Sequence, residues 1–187
     1  PAAVVPKLAE RVDAALLGQA VPQLDVSRYA FALAGSPHRW ADYAPGEKID
    51  RAAAMTLEEA EHQIATRLYQ NTAGVHFNLH EQAQGQFKRR LVYGGVVISL
   101  ARALSYNGLA NAFHIAAING GRHVSPPFAG ATVFARSEVL AKADVPGSDD
   151  VGALRLRTVA ARDHPCAGFP LKSGNEEHPA VLLDLDY

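Results

Sequence analysis

The chain has 187 residues, of which 48% are hydrophobic and 20% are charged, so it can bury a real core and is most simply one domain. Its net charge is -1 at pH 7. Because neither sign of charge dominates, bulk electrostatics indicate neither a nucleic acid nor an anionic membrane as a partner. The sequence holds no apolar run near the roughly 18 residues of a membrane span and no signal peptide, which predicts a protein without membrane segments.

The first predicted element is an extension. Residues 1–37 carry prolines at positions 1, 6, 22 and 37 and one short helical pattern over 7–18, so they are predicted to be a linker. The globular domain is predicted to cover 38–187. The chain opens on proline and ends in a strand-like alternation, which we interpret as a piece of a longer protein.

Two helices are predicted next. The first covers 56–70, where Thr56 and Glu59 have the spacing of a capping box. Its apolar residues fall on one face: Leu57, Ala60, Ile64 and Leu68. The second covers 94–108 and is apolar nearly all round, which predicts a buried helix that ends at Asn107-Gly108.

Strand-like patterns occupy much of the C-terminal half. They cover 112–120, 131–143, 151–161 and 180–187. In the third, the leucines at 154 and 156 face one side, and the arginines that follow each of them face the other. A buried helix followed by several antiparallel-looking strands predicts an α+β fold in which the sheet wraps the helix.

Four stretches of the chain resemble the MaoC-like branch of the hotdog fold, which includes the R-specific enoyl-CoA hydratases and dehydratases. They lie at 43–49, 71–78, 87–101 and 121–140. Longer strings over 91–124 and 150–171 are similar to the C-terminal half of a member built from two fused hotdog domains. The resemblance covers roughly residues 38 to 187. It implies a hotdog fold, with an antiparallel sheet wrapped around a central helix, as one half of a double hotdog.

The segment Gln70–His80 matches the hydratase motif of that family, in which an aspartate, an Asn-Pro pair and a histidine surround one water. His76 stands at the histidine and Asn71 at the aspartate, while Ala73-Gly74 replaces Asn-Pro. Hydration needs a base for water and an acid for the α-carbon, and imidazole can serve either role near neutral pH. An amide can only hydrogen-bond. The resemblance therefore implies that His76 transfers the proton and Asn71 orients the water, with a carboxylate still available from Glu81 or from an N-terminal half.

Other interpretations of these residues stay open. A histidine beside an asparagine also serves as a structural hydrogen-bonding group, and a half that has lost its activity would keep the motif only for the fold. His76 and His80 have the i, i+4 spacing of helical metal ligands, but no third ligand follows at a suitable spacing, so no metal site is predicted. The single cysteine, Cys166, excludes an internal disulfide and fits a reducing cytoplasm. A nucleophilic role for its thiol has little support.

The glycines at the start of the buried helix form the second candidate site. A helix N-terminus presents unpaired N–H groups, and glycine lets an oxygen approach them closely. The resemblance implies that the N–H of Gly94 binds the thioester carbonyl, with Gly95 beside it. The alternative is that the pair merely permits tight packing. Ser99, a polar exception in the helix, is a further candidate for substrate contact.

Cations flank both motifs. They are Lys88, Arg89, Arg90 and Arg122. Arginine binds phosphates and carboxylates well. Coenzyme A carries phosphates, and a dicarboxylic acyl group carries a free carboxylate. Arg89, Arg90 and Arg122 are therefore candidate substrate-binding residues, although such clusters are often only solvated faces. The resemblance implies that the segment with Arg122 runs along the substrate tunnel.

Together the resemblance implies a hydro-lyase that adds water reversibly to an enoyl-CoA thioester, without a metal or redox cofactor. The expected conversion is mesaconyl-CoA to beta-methylmalyl-CoA, and coenzyme A is part of the substrate. The alternatives are a hotdog acyl-CoA thioesterase and a non-catalytic half that supports a catalytic partner. Asn71 disfavours the thioesterase, which depends on an acidic residue. The expected partner is an N-terminal hotdog domain of the same polypeptide or a second copy, because a hotdog sheet has an edge that needs pairing.

Overall fold

The computed structural model describes residues 13, 16–49, 53–165 and 172–187. Cys166, and with it the thiol alternative, lies outside the described residues, as does most of the helical pattern over 7–18.

An antiparallel sheet forms the body of the fold. In the described residues its strands are β1 (Lys48–Ile49), β2 (Ala54–Thr56), β3 (Gly120–His123), β4 (Thr132–Asp144), β5 (Gly152–Arg162) and β8 (Val181–Asp186). Their order is β1-β4-β5-β8-β3, with β2 also paired to β4. A separate hairpin joins β6 (Lys172–Ser173) to β7 (Glu176–Glu177).

The long strands follow the predicted alternation. In β4 the side chains of Val133, Ala135 and Val139 are buried, since every second residue faces the core. The arginines of β5 lie on the face opposite Leu156. Arg155 and Arg157 each form a two-pronged ion pair with an aspartate of β8, at N–O distances between 2.7 and 2.9 Å. The predictions for β4, β5 and β8 are confirmed.

The helices are α1 (Glu59–Leu68), α2 (Leu79–Gln82), α3 (Gly94–Leu104) and α4 (Tyr106–Leu109). The α3 helix packs Val97, Leu100 and Leu104 onto the inner face of the sheet, so the prediction of a central buried helix is confirmed. The chain leaves the helical region at Gly108, whose φ is 98°, as the Asn-Gly signal predicts. Nowhere in the described ranges is a helix long and apolar enough to cross a membrane.

The predicted capping box of the first helix is wrong. The helix begins at Glu59, because Thr56 is held in β2, where its hydroxyl lies 3.0 Å from the hydroxyl of Thr132. Its apolar face is also largely open: Ile64 is 57% and Leu68 is 73% exposed. The face that packs inward is polar and consists of His62, Gln63 and Thr66.

The predicted strand over 112–120 is wrong as well. The strand that forms is β3, because antiparallel pairing with β8 begins only where Gly120 lies opposite Asp186. The preceding residues are irregular and leave Phe113 and Ile118 more than half exposed.

Candidate active site

The imidazole of His76 is held by a backbone carbonyl. His76 ends a 3₁₀ turn, Gly74–His76, just before α2, and its Nδ1 lies 3.1 Å from the carbonyl oxygen of Leu91. A carbonyl oxygen only accepts hydrogen bonds, so the Nδ1 atom must carry a proton. In the neutral ring the lone pair is therefore on Nε2, which leaves that atom able to take a proton.

The backbone of the same turn is anchored by the polar face of α1. The side-chain amide of Gln63 donates to the carbonyl of His76 at 2.6 Å, and the same nitrogen lies 2.9 Å from Nε2 of His62. Because an amide nitrogen only donates, the Nε2 atom of His62 accepts, and its ring is neutral with the proton on Nδ1.

Burial explains the neutral state of His62. Its side chain is fully buried, and this burial lowers its pKa. Glu59, whose carboxylate lies 3.8 Å away, raises the pKa, while Arg90 and His76 lower it further. The Nδ1 of His62 and the Oε1 of Gln63 are buried and, among the described residues, have no hydrogen-bond partner. These polar groups lie directly behind the His76 turn.

Tyr93 joins the turn to the start of α3. Its ring contacts His76 edge to face, with centroids 5.8 Å apart, and contacts Tyr69 at 6.4 Å. The ring also lies over Gly95, where an added Cβ would come within 2.7 Å of it. A larger residue at this position would displace Tyr93.

Gly94 is closely covered by a second histidine. A Cβ at Gly94 would lie 2.5 Å from the Nε2 atom of His123, so the imidazole fits only because residue 94 is glycine. Gly94 is the first residue of α3, and the amide of Val96 donates back to the carbonyl of Tyr93 at 2.9 Å. The amides of Gly94 and Gly95 lie in the first turn of α3 and therefore have no hydrogen-bond acceptor within the helix. His76, Tyr93, Gly94 and His123 thus meet around the N-terminus of α3.

Asn71 uses part of its side chain to shape the loop. Its Oδ1 accepts a 2.9 Å hydrogen bond from the amide of Ala73, which leaves the Nδ2 group as its donor. Ser99, at an exposed position of α3, donates to the carbonyl of Gly95 at 2.8 Å. Substrate roles for Asn71 and Ser99 stay predictions.

Two of the candidate cations are held by carboxylates. Arg90 pairs with Glu59, and Arg122 pairs with Glu177 on the sheet surface. Lys88 is exposed. Arg89 instead lies over the ring of Phe128, with its guanidinium carbon 3.8 Å from the ring centroid.

Arg89 lines an open groove of about 620 Å³. The groove is lined by Phe87, Arg89, Pro126, Phe128, Arg162 and Asp163, among others. Of the three predicted substrate-binding arginines, Arg89 is the one that lines this groove, which is large enough for a ligand.

A deeper apolar cavity of about 140 Å³ lies elsewhere. It is bounded by the 16–24 segment, the irregular 111–119 segment and Arg102. Arg102 stands eight positions after Gly94 in α3, which is about 12 Å along the helix at the usual rise. The cavity therefore belongs to the other end of the helix and not to the His76 site.

The described residues contain no group of three histidine, cysteine, aspartate or glutamate side chains that could hold a metal ion. His76 and His80 do not share a helix, because one ends the 3₁₀ turn and the other lies in α2.

Four residues of this site were not predicted from the sequence: His62, Gln63, Tyr93 and His123. His123 could have been predicted, because it follows Arg122 in the segment that the resemblance assigns to the substrate tunnel. The sequence did not indicate a site role for His62 and Gln63, because they lie on the polar face of α1, which an amphipathic pattern assigns to solvent.

Comparison with known proteins identifies relatives of this chain in both sequence and structure. No protein-family model matches the chain. Over its whole length it is 56% identical to beta-methylmalyl-CoA dehydratase from Chloroflexus aurantiacus and 54% identical to mesaconyl-CoA hydratase from Cereibacter sphaeroides. A solved MaoC domain protein from Chloroflexus aurantiacus matches all of the chain with a TM-score of 0.89 and 56% identity. The chain has a hotdog fold and is similar over its whole length to this MaoC domain protein.

The chain spans about half the length of these relatives. It spans 53% of the length of both curated proteins and 53% of the solved chain. A Mycobacterium tuberculosis protein with a double hotdog fold shares the architecture at a TM-score of 0.59 and 23% identity, over 87% of this chain and 43% of its own. In this hotdog domain α3 is the central helix, and the His76 turn lies beside its N-terminus.

Proposed function

We propose that the protein is a hydro-lyase that reversibly converts mesaconyl-CoA to beta-methylmalyl-CoA. The observation that carries this proposal is the fixed tautomer of His76, whose Nε2 is left basic beside the glycine N-terminus of α3. The names of the two curated relatives support the choice of substrate and product.

In the proposed reaction the Nε2 atom of His76 takes a proton from water. The water oxygen bonds to the β-carbon, and the electron pair of the double bond moves toward the thioester, which gains enolate character. The imidazolium then returns the proton to the α-carbon, so that one proton and one hydroxyl are added in total. A single histidine can act as base and then as acid, which suits a site where an asparagine replaces the family's carboxylate.

The backbone amide of Gly94 is proposed to hold the thioester oxygen. Negative charge grows on that oxygen as water adds, and an oriented donor there is worth about 3 kcal/mol in the transition state. Gly95 and Ser99 are proposed to border the acyl chain. The Nδ2 group of Asn71 is the proposed donor to the attacking water, because its Oδ1 is engaged by Ala73.

The cations are proposed to guide the anionic parts of the substrate. Arg89 faces the open groove and is the proposed contact for a phosphate or for the free carboxylate. Arg90 and Arg122 would have to exchange their carboxylate partners for substrate oxygens. No redox or metal cofactor enters the proposed reaction, and its proposed location is the cytoplasm.

A second hotdog domain is proposed to complete the site. The curated relatives are about twice as long as this chain, which supports an N-terminal hotdog domain on the same polypeptide; a second copy is the alternative. Covering the site would exclude water and strengthen the electrostatic contacts within it. We propose that 1–37 is the linker and 38–187 the domain.

Incubation of the protein with mesaconyl-CoA, followed by mass spectrometry of the products, tests the proposal. The expected result is a thioester heavier by one water. Free coenzyme A would instead identify a thioesterase, and unchanged substrate would identify a structural half. In ¹⁸O-labelled water the label should enter the acyl chain and leave the thioester carbonyl unlabelled.

A further inference from the structure

His123 lies against Gly94 at the N-terminus of α3. It is the last residue of β3, the strand that pairs with β8 at the edge of the sheet. Its Nε2, Cε1 and Cδ2 atoms are the three nearest atoms to the position that a Cβ of Gly94 would occupy, at 2.5, 2.7 and 3.1 Å. One edge of the imidazole is therefore against Gly94, while the side chain as a whole is still exposed in the single chain.

The ring of His123 has hydrogen-bonding capacity to spare. Among the described residues, neither of its nitrogens forms a hydrogen bond within the protein. The neighbouring amides of Gly94 and Gly95 also lack an acceptor within their own helix. The imidazole of His123 and the first amides of α3 thus lie close together, and hydrogen-bond donors grouped in this way stabilise a polarised oxygen.

The environment favours a neutral ring. Partial burial lowers the pKa of His123. The positive end of the α3 dipole, which lies beside the ring, also disfavours the imidazolium form. A neutral imidazole still carries one N–H, and it can polarise a carbonyl without giving up its proton.

We propose that His123 donates its ring N–H to the thioester carbonyl oxygen of the acyl-CoA, next to the backbone N–H of Gly94, and is thus a catalytic residue of the site. This inference rests on the proposed function. As water adds to the β-carbon, negative charge develops on the oxygen, and both hydrogen bonds strengthen. No proton leaves His123, so its role is separate from the proton transfer by His76.

Two substitutions at this position separate hydrogen bonding from packing. His123→Phe keeps a flat ring against Gly94 but removes the donor, whereas His123→Gln returns an amide N–H near the position of Nε2. We expect His123→Phe to lower kcat about a hundredfold, with a smaller change in KM, as for the loss of an oxyanion donor. His123→Gln should recover at least a tenth of the wild-type kcat. Retention of kcat within threefold in His123→Phe, with the thermal midpoint unchanged, would overturn the proposal.

A spectroscopic readout decides the matter even if the hydratase assignment is wrong. Methylsuccinyl-CoA, the saturated analogue that cannot be hydrated, is bound with a ¹³C label in its thioester carbonyl, and the carbonyl stretch is recorded by infrared difference spectroscopy. The wild-type protein should lower this frequency relative to free thioester, His123→Phe should reverse most of the shift, and His123→Gln should restore it. Equal frequencies in the wild type and His123→Phe, or failure of the analogue to bind, would overturn the role of His123. A shift without turnover of mesaconyl-CoA would overturn only the proposed reaction.

Discussion

The side-chain amide of Gln63 donates a 2.6 Å hydrogen bond to the backbone carbonyl of His76. This bond ties the buried polar face of α1 to the turn that carries the proposed catalytic imidazole. It also fixes the orientation of the Gln63 amide, because the opposite orientation would place two acceptors against each other. The polar face of α1 is therefore a support for the site, which explains why it is buried while Ile64 and Leu68 are open to solvent.

Removal of that support should loosen the turn. We expect Gln63→Leu to lower kcat roughly tenfold or more and to destabilise the fold by about 1–3 kcal/mol, because the buried acceptors on His62 and His76 lose their donor. Steady-state kinetics and urea unfolding measure the two effects. Gln84→Leu, an exposed change in the same region, is the matched control and should change neither. Unchanged kcat in Gln63→Leu would show that Gln63 does not position His76.

Asn71 is expected to orient water rather than to act as a base. Asn71→Ala should lower kcat more than it raises KM, since the lost contact matters mainly in the transition state. Asn71→Asp is the paired variant, because its carboxylate can still accept from the Ala73 amide and so preserve the loop. A thermal midpoint that falls in Asn71→Ala but holds in Asn71→Asp would report the loop contribution separately. A pure KM effect would make Asn71 a substrate-holding residue instead.

The buried imidazole of His62 should make the fold sensitive to acid. Its pKa in the folded protein lies below its usual value of 6.5, so the unfolded chain binds more protons at mildly acidic pH. Its contribution to stability is complete above pH 6.5 and is lost as the pH falls from there toward the folded pKa. Urea unfolding between pH 7.5 and pH 5.5 should show a decline that is weaker in His62→Gln. The same pH dependence of stability in both proteins would contradict a lowered pKa of His62.

Pairing with a second domain should be visible in the isolated chain. An apolar patch that a stable monomer would rarely expose is formed by Ile64 and Leu68 of α1 and by Tyr69, which follows the helix. Light scattering on the purified protein should give at least twice its mass of 20.0 kDa, unless a separated N-terminal half remains bound. Leu68→Glu should weaken the association, while Lys172→Glu on the β6–β7 hairpin should not. A catalytically active monomer would contradict the pairing argument.

Local periodicity in the sequence was enough to predict the helices and strands that bury their own apolar face. The alternation in β4 and β5 and the apolar length of α3 predicted their positions because each buries the face that its sequence makes apolar. The start of α1 failed because Thr56 pairs with Thr132, a residue 76 positions away that no local rule contains. The strand before His123 was misplaced for the same reason, since its register is set by β8.

The candidate site was only partly readable for a related reason. His76 and Gly94 belong to motifs with a recognisable order, and they meet at the start of α3 with Tyr93 between them. His123 reaches the same point only through the sheet, and Gln63 only through a helix whose polar face turns inward. Contacts of this kind depend on tertiary geometry and leave no periodic signal.

The most direct test of the central claim is the rate of mesaconyl-CoA hydration by His76→Ala, with His80→Ala, an exposed histidine four residues further on, as the control. If Nε2 of His76 carries the proton, His76→Ala should lose at least about a hundredfold in kcat while its circular dichroism spectrum stays unchanged. His80→Ala should keep full activity. Near-normal turnover by a folded His76→Ala protein would contradict the account and would place the chemistry outside this site.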